Sequence, residues 1–357
     1  MLFKNIKENF FFTTNFEFEN SIPHLKKRYL AETGILKRLL KFVKRYLILY
    51  FKNQLRFESR EILDSEKKIL WINVSAPSFG DSLMDLSSRV LLEGRHIDLY
   101  TNKKIAEIYK NDNFFSNIYY DDIDTNYTYD LVILDSYSSR SILRKIHFAP
   151  KTKFVSMYGF FNGPEVNRVL FSFFKLNFLL GSKYSEEEIL KIARPSLTIS
   201  NPDKDLISSL NLPQNFITLA IGGEWPYRTY NNWPKVIEEI LTINPKQEIL
   251  LVGSENALTF EGEIIKISKN IKSYVAKLSF NQTAEVIRNS DLLICCDGGL
   301  MHAANALETP VLALFAKLTE KMQLTPAIRA YSLYGEFDVN EIQYQKIVGK
   351  YGNYLRS

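Results

Sequence analysis

The run Leu292-Leu293-Ile294-Cys295-Cys296, followed at once by Asp297-Gly298-Gly299-Leu300-Met301-His302-Ala303-Ala304, limits the folds open to this chain more than any other stretch. Five apolar residues end in an acid and two glycines, and a helix-forming segment starts directly after them, the order of a buried strand, a tight turn and a helix start. Paired glycines let a ligand come close to the backbone. The unpaired N–H groups and partial positive charge of a first helical turn suit a diphosphate. An ordinary strand-to-helix connection of an α/β protein has the same pattern, so the flanking segments have to separate the two.

Those segments alternate in the same way. Ile249–Val252 reads as a strand running into Gly253-Ser254-Glu255, and Pro310–Phe315 reads as another after Glu308-Thr309. Upstream, Ile217-Thr218-Leu219-Ala220-Ile221-Gly222-Gly223 leads to Arg228-Thr229-Tyr230-Asn231-Asn232-Trp233-Pro234. In the first half, the strand-like Ile69–Val74 is followed by Ser78-Phe79-Gly80-Asp81-Ser82, and further strands are expected near Ile97–Tyr100, Leu131–Leu134 and Lys153–Met157. Taken in order, these elements resemble glycosyltransferase family 9, the bacterial heptosyltransferase family. The family's usual turn is Asp-Ser/Thr-Gly-Leu-Ser-His-Leu-Ala. This chain has Gly298 in place of the hydroxyl residue and Met301 in place of the serine, and it keeps His302.

The resemblance implies an α/β protein of GT-B architecture, with two Rossmann-like domains whose parallel sheets face a cleft. It implies an acceptor domain over 67–182 and a nucleotide-sugar donor domain over 203–330. It makes Asp81 the catalytic base for the acceptor hydroxyl, a role that suits an inverting transfer; on residue type alone, Asp81 equally caps the helix that follows. Donor contacts fall on Gly222, Gly223, Arg228, Asn231, Gly253, Glu255, Asp297, Gly298, Gly299, Leu300 and His302. Asn231 stands where many family members carry a phosphate-binding lysine, and Arg228 offers a guanidinium for the same charge. Arg228 on a solvated loop, Glu255 as an ordinary surface acid and His302 as a support for the turn are the alternatives. Trp233 and Pro234 read as the start of a helix.

The implied activity is metal-independent transfer of a sugar, heptose by resemblance, from a nucleotide-sugar such as ADP-heptose to a lipopolysaccharide-type glycan or glycolipid, with inversion and without a cofactor. A nucleotide-sugar epimerase of the same fold, or a degenerate nucleotide-sugar-binding protein that has lost the lysine and the hydroxyl, are the competing readings. Asp122-Ile123-Asp124 resembles the metal motif of GT-A glycosyltransferases, although acidic clusters of this kind usually occur as solvated loops. His24, His96, His147 and His302 have no metal-ligand spacing. The adjacent Cys295 and Cys296 form no disulfide framework and suit a reducing compartment, the cytosol.

Charge is uneven along the 357 residues. Residues 1–57 carry +8 of a total of +5, which leaves −3 for the remainder. Within this extension, taken as 1–66, Ile35, Leu36, Leu39, Leu40, Val43, Leu47 and Phe51 recur at helical spacing, with Lys37, Lys41, Lys44 and Arg45 on other faces. The pattern fits peripheral contact of residues 26–56 with an anionic membrane, such as the inner face of the bacterial inner membrane; it equally fits a helix docked on the first domain. No nucleic-acid module is recognisable. The apolar stretch Val169–Leu180 is too short and too interrupted to cross a bilayer and reads as a buried helix, or as one that dips into a membrane surface. A linker is expected over 183–202, and a tyrosine-rich tail over 331–357 is expected to pack back on the first domain.

Overall fold

The computed structural model describes residues 2–14, 16, 18, 23–121, 128–163 and 165–356. Asp122 and Asp124 lie outside the described residues. The chain forms two compact units, Met1–Ala193 and Arg194–Ser357.

In the first unit, β1 (Lys68–Ile72), β2 (His96–Tyr100), β3 (Asn117–Tyr119), β4 (Leu131–Leu134) and β5 (Lys153–Ser156) form one sheet in the order β3-β2-β1-β4-β5. All of its pairings are parallel. The second unit holds β6 (Phe216–Ala220), β7 (Glu248–Val252), β8 (Ile271–Ser273), β9 (Leu292–Cys296), β10 (Val311–Ala316) and β11 (Ala330–Gly335), in the order β8-β7-β6-β9-β10-β11. It too is wholly parallel. Each unit thus reverses its strand order beside its first strand, the doubly wound pattern of a Rossmann sheet.

Sequence dictates this burial through the two-residue period of a strand. Leu292, Ile294 and Cys296 of β9 join the core cluster on one face, while Leu293 and Cys295 join the cluster on the other. Parallel strands covered on both faces read as unbroken apolar runs, which is why β4, β6, β9 and β10 are buried throughout. Three strands were not expected from the sequence: β3, β8 and β11. All three are sheet edges, and their residues are mostly half-buried or exposed, so no continuous apolar run announces them.

Two further expectations meet the structure differently. The 331–357 segment was expected to return to the first domain, but it is built into the second unit. There β11 pairs with β10, and the helix Tyr344–Tyr354 packs on the helix Trp233–Ile243. Its tyrosines are the reason: Tyr351 is fully buried and its hydroxyl donates to Gln247, while that of Tyr354 donates to the Asp291 carbonyl. The 183–202 stretch is divided between the units. Helix Glu186–Ile192, with a Ser185–Glu188 capping box, packs against helix Arg168–Leu179 in the first, and Ser200 caps helix Asn201–Ser209 in the second. Helix Arg168–Leu179 is the buried helix anticipated for the apolar stretch, with Val169, Phe171, Phe173, Leu176 and Leu179 all inside. Among the described residues no helix is long and apolar enough to cross a membrane.

The basic extension contains the expected helix, Ile35–Phe51. It docks on the first sheet through Phe42 and Leu49, which join the cluster of Leu70, Ile72, Val132 and Leu134, with Arg38 and Arg45 buried on the same side. The seven apolar residues of the sequence pattern face outward instead. Leu49→Ala should therefore cost about 2–5 kcal/mol in urea unfolding, whereas Leu40→Ala should change stability by no more than about 0.5 kcal/mol. The reverse ranking would contradict the docking face.

Candidate functional site

Loops gather at the carboxyl ends of the central strands of each sheet, where strand order reverses and ligands collect in open α/β sheets. In the second unit this point lies between β6 and β9, and it brings together the Gly222-Gly223 loop and the Asp297-Gly298 turn. Gly223 is required by close approach, since a Cβ there would stand 2.4 Å from the Arg228 carbonyl oxygen. A Cβ on Gly222 would stand 2.5 Å from Asn256 Oδ1. Asn256 in turn donates to the Gly223 carbonyl at 2.8 Å, so the loops after β6 and β7 are fastened to one another.

This packing folds the short turn Pro226–Arg228 back toward β9. Arg228 Nη1 reaches Asp297 Oδ2 at 3.4 Å, and Asp297 is itself buried. Helix Gly299–Ala306 begins two residues later, with Gly298 at its N-cap and no side chain capping it. A Cβ at Gly298 would meet nothing closer than 3.9 Å, so the missing hydroxyl is not a steric requirement of the protein. His302 is buried one turn into this helix, where its backbone N–H donates to the Gly298 carbonyl. Leu300 and Gly299 are half-buried. Burial pushes the Cys296 thiol up to about 12 and Cys295 well above its ordinary value, so the adjacent cysteines are packed thiols and not nucleophiles.

Glu255 is exposed in the turn that follows Gly253, whose φ of +148° suits a glycine. Asn231 is exposed and its backbone N–H is taken by Asn340 Oδ1 at 2.8 Å, which leaves Arg228 as the cation placed against the Asp297 turn. Trp233 is fully buried and opens helix Trp233–Ile243, a structural role. Lys317, just past β10, was missed by sequence reasoning. It lies 3.8 Å from the centre of the Tyr227 ring, next to Arg228, and its positive φ is its only local mark.

In the first unit, Asp81 occupies the third position of helix Phe79–Asp85. Its N-cap is Ser78, which accepts from the Asp81 N–H and donates to Asp81 Oδ2 at 2.6 Å. The other carboxylate oxygen accepts from Arg168 Nη1 at 2.8 Å. Arg168 turns its remaining donors onto Asp85, with Nε at 2.9 Å and Nη2 at 2.5 Å, and the Tyr158 hydroxyl completes Asp85 at 3.0 Å. Burial works against charge on Arg168, but Asp85, Tyr158 and Asp81 outweigh it and hold the guanidinium above even its usual range. Asp81 thus takes part in the helix cap and is also oriented by an arginine 87 residues away.

Beside this network a pocket of about 200 Å³ lies past the ends of β1, β4 and β5, lined in part by Arg45, Ser75, Asp135, Ser136, Tyr158 and Arg168. Asp135 is buried there. Burial raises its carboxyl above the ordinary range, while the N–H groups of Val74, Ser75 and Ser136 and the Ser141 hydroxyl donate to it and pull the other way. Sequence reasoning missed Arg168, Asp85, Tyr158, Asp135 and Arg45 as site residues. The polar end of the apolar β4 run, at Asp135, was the one local signal.

The comparisons with known proteins bear on the family and the fold. The family profile described as glycosyltransferase family 9 (heptosyltransferase) matches residues 164–346, just over half of the chain. The chain belongs to this family and is a glycosyltransferase. No curated protein matches the sequence. Among solved structures it is similar to the family 9 glycosyl transferase from Veillonella parvula DSM 2008, at 14% identity and a TM-score of 0.69, over 84% of this chain and 100% of that one. It is also similar to E. coli ADP-heptose lps heptosyltransferase II, at 16% identity and a TM-score of 0.63, over 81% and 98%. E. coli heptosyltransferase WaaC with ADP follows at 13% and 0.58, over 80% and 99%. At these identities the likeness is one of fold, and it matches the two parallel α/β sheets found here.

Two stability outcomes follow from the geometry. Arg168→Met leaves Asp85 buried without its cation and should cost about 3–5 kcal/mol in chemical unfolding; a loss below about 1 kcal/mol would show that the pair is effectively solvated. Gly298→Ser supplies the missing N-cap hydroxyl in open space and should stabilise by a few tenths of a kcal/mol at about the same fold, read as a small rise in Tm. A clear fall in Tm would contradict the free space at this turn.

Proposed function

We propose that this glycosyltransferase moves a sugar, heptose, from a nucleoside-diphosphate donor such as ADP-heptose onto a lipopolysaccharide-type glycan or glycolipid, with inversion and without a metal ion. The observation that carries the reading is the second-unit turn, where Arg228 is held beside the uncapped N-terminus of helix Gly299–Ala306. A guanidinium and a row of unpaired N–H groups match the charge and the acceptor oxygens of a diphosphate. They also supply the stabilisation that a cation would otherwise give as negative charge builds on the leaving group. The E. coli relative of similar fold is described with ADP and with ADP-2-deoxy-2-fluoro heptose, which supports this choice of donor.

In the proposed reaction Asp81 takes the proton of the acceptor hydroxyl, whose oxygen forms the new bond to the anomeric carbon. The bond from that carbon to the diphosphate oxygen breaks, and the nucleoside diphosphate leaves with the electron pair. The bond to Arg168 and the bond from Ser78 fix the carboxylate's orientation, so that little reorganisation is needed when the hydroxyl arrives. Glu255, exposed in the loop that follows β7, is assigned the ribose hydroxyls in this reading.

The test separates the two roles. Asp81→Asn keeps the shape of the side chain and should lower turnover by about 10²–10⁴-fold while leaving ADP affinity within about threefold of the parent. Arg228→Gln should weaken ADP binding by roughly tenfold or more, the worth of a charge-assisted hydrogen bond. Turnover surviving in Asp81→Asn removes the base assignment, and unchanged ADP affinity in Arg228→Gln removes the phosphate contact.

A further inference from the structure

Among the described residues, none covers the outward face of helix Ile35–Phe51. Ile35 is 69%, Leu36 66%, Leu40 61% and Phe51 76% exposed, and Leu39, Val43, Leu47 and Tyr50 are also open to solvent. At about 100° per residue these eight side chains occupy a continuous arc of about 160°. Exposed apolar residues scattered singly are ordinary, whereas a contiguous stripe marks an interaction surface. Lys37 and Lys44 border the arc, Lys41 follows, and the helix contains no acid.

We infer that this face docks the protein on an anionic lipid bilayer, with the helix lying in the interface plane. Apolar side chains enter the acyl boundary and the flanking lysines meet the headgroup phosphates, the division of labour of an interfacial helix. At 17 residues the helix is about 25 Å long, too short and too cationic to cross. A second copy of the chain is the poorer occupant. Face-to-face copies would bring like rows of Lys37 and Lys44 together with no acid to answer them, and the arc is wider than the narrow seam by which helices pair.

The inward face of the same helix fixes what the docking would accomplish. It is pinned by Phe42 and Leu49 and carries Arg45, a residue nine-tenths buried, into the wall of the first-unit pocket, where it makes no hydrogen bond or ion pair among the described residues. One helix diameter, about 10–12 Å, then separates the pocket wall from the lipid surface. That distance lets a lipid-linked glycan reach the pocket without leaving the bilayer, a consequence that rests on the proposed acceptor class; the docking itself does not.

Vesicle sedimentation of the full chain tests the docking independently of any transfer activity. The chain should partition onto phosphatidylcholine vesicles containing phosphatidylglycerol, and less onto phosphatidylcholine alone or at high salt. The Leu36→Glu/Leu40→Glu/Leu47→Glu variant should lose at least about tenfold in partitioning, with ADP affinity unchanged as the control for a folded second unit. Since that variant is open to misfolding, Leu40→Cys carrying an environment-sensitive dye gives a second readout, because both natural cysteines are buried. Its emission should shift to the blue on adding anionic vesicles. Failure of the parent chain to sediment, no dye shift, or a stable dimer that the triple substitution dissolves would each overturn the proposal.

Discussion

Burial of the central parallel strands on both faces is the constraint from which the rest of the molecule follows. Strands β6 and β9 divide their residues between two apolar clusters, so neither strand can slide or turn over without driving every side chain to the wrong core. With the strands fixed, the loops at their carboxyl ends have fixed starting points. Gly222, Gly223 and Gly253 then allow those loops to touch, and the contact sets Arg228 against Asp297. The Arg228 guanidinium is thus positioned by packing that begins in the strand pattern.

The first unit solves a related problem with charge. Helix Phe79–Asp85 is only seven residues long, and its geometry is held less by its own turns than by the capping serine and the Arg168 guanidinium. A buried ion pair of this kind is a weak source of net stability, because desolvation offsets most of the attraction. Its value here is orientation: one arginine clamps two carboxylates from adjacent turns of a helix, and a tyrosine hydroxyl adds a third donor to Asp85.

Most of the sheet framework was legible in the sequence because buried parallel strands write themselves as apolar runs. Leu131–Leu134 and Leu292–Cys296 were readable to the residue, while Asn117–Tyr119 and Ile271–Ser273 were invisible, since an edge strand needs no such run. The Asp297 turn and Asp81 were legible as local motifs. Arg168 and Tyr158 were not, because what joins them to Asp81 and Asp85 is tertiary contact across more than 70 residues. The orientation of helix Ile35–Phe51 was left open for a different reason: its periodicity identified an amphipathic helix but not which face the sheet would take. The sheet took the face bearing Phe42, Leu49 and two arginines, leaving the longer apolar stripe to solvent.

A crystal structure of the chain with ADP-heptose, or with ADP alone, tests the central claim most directly. The account predicts the diphosphate oxygens within hydrogen-bond distance of the N–H groups at the start of helix Gly299–Ala306 and of the Arg228 guanidinium. Nucleotide bound with its diphosphate away from both groups would contradict it.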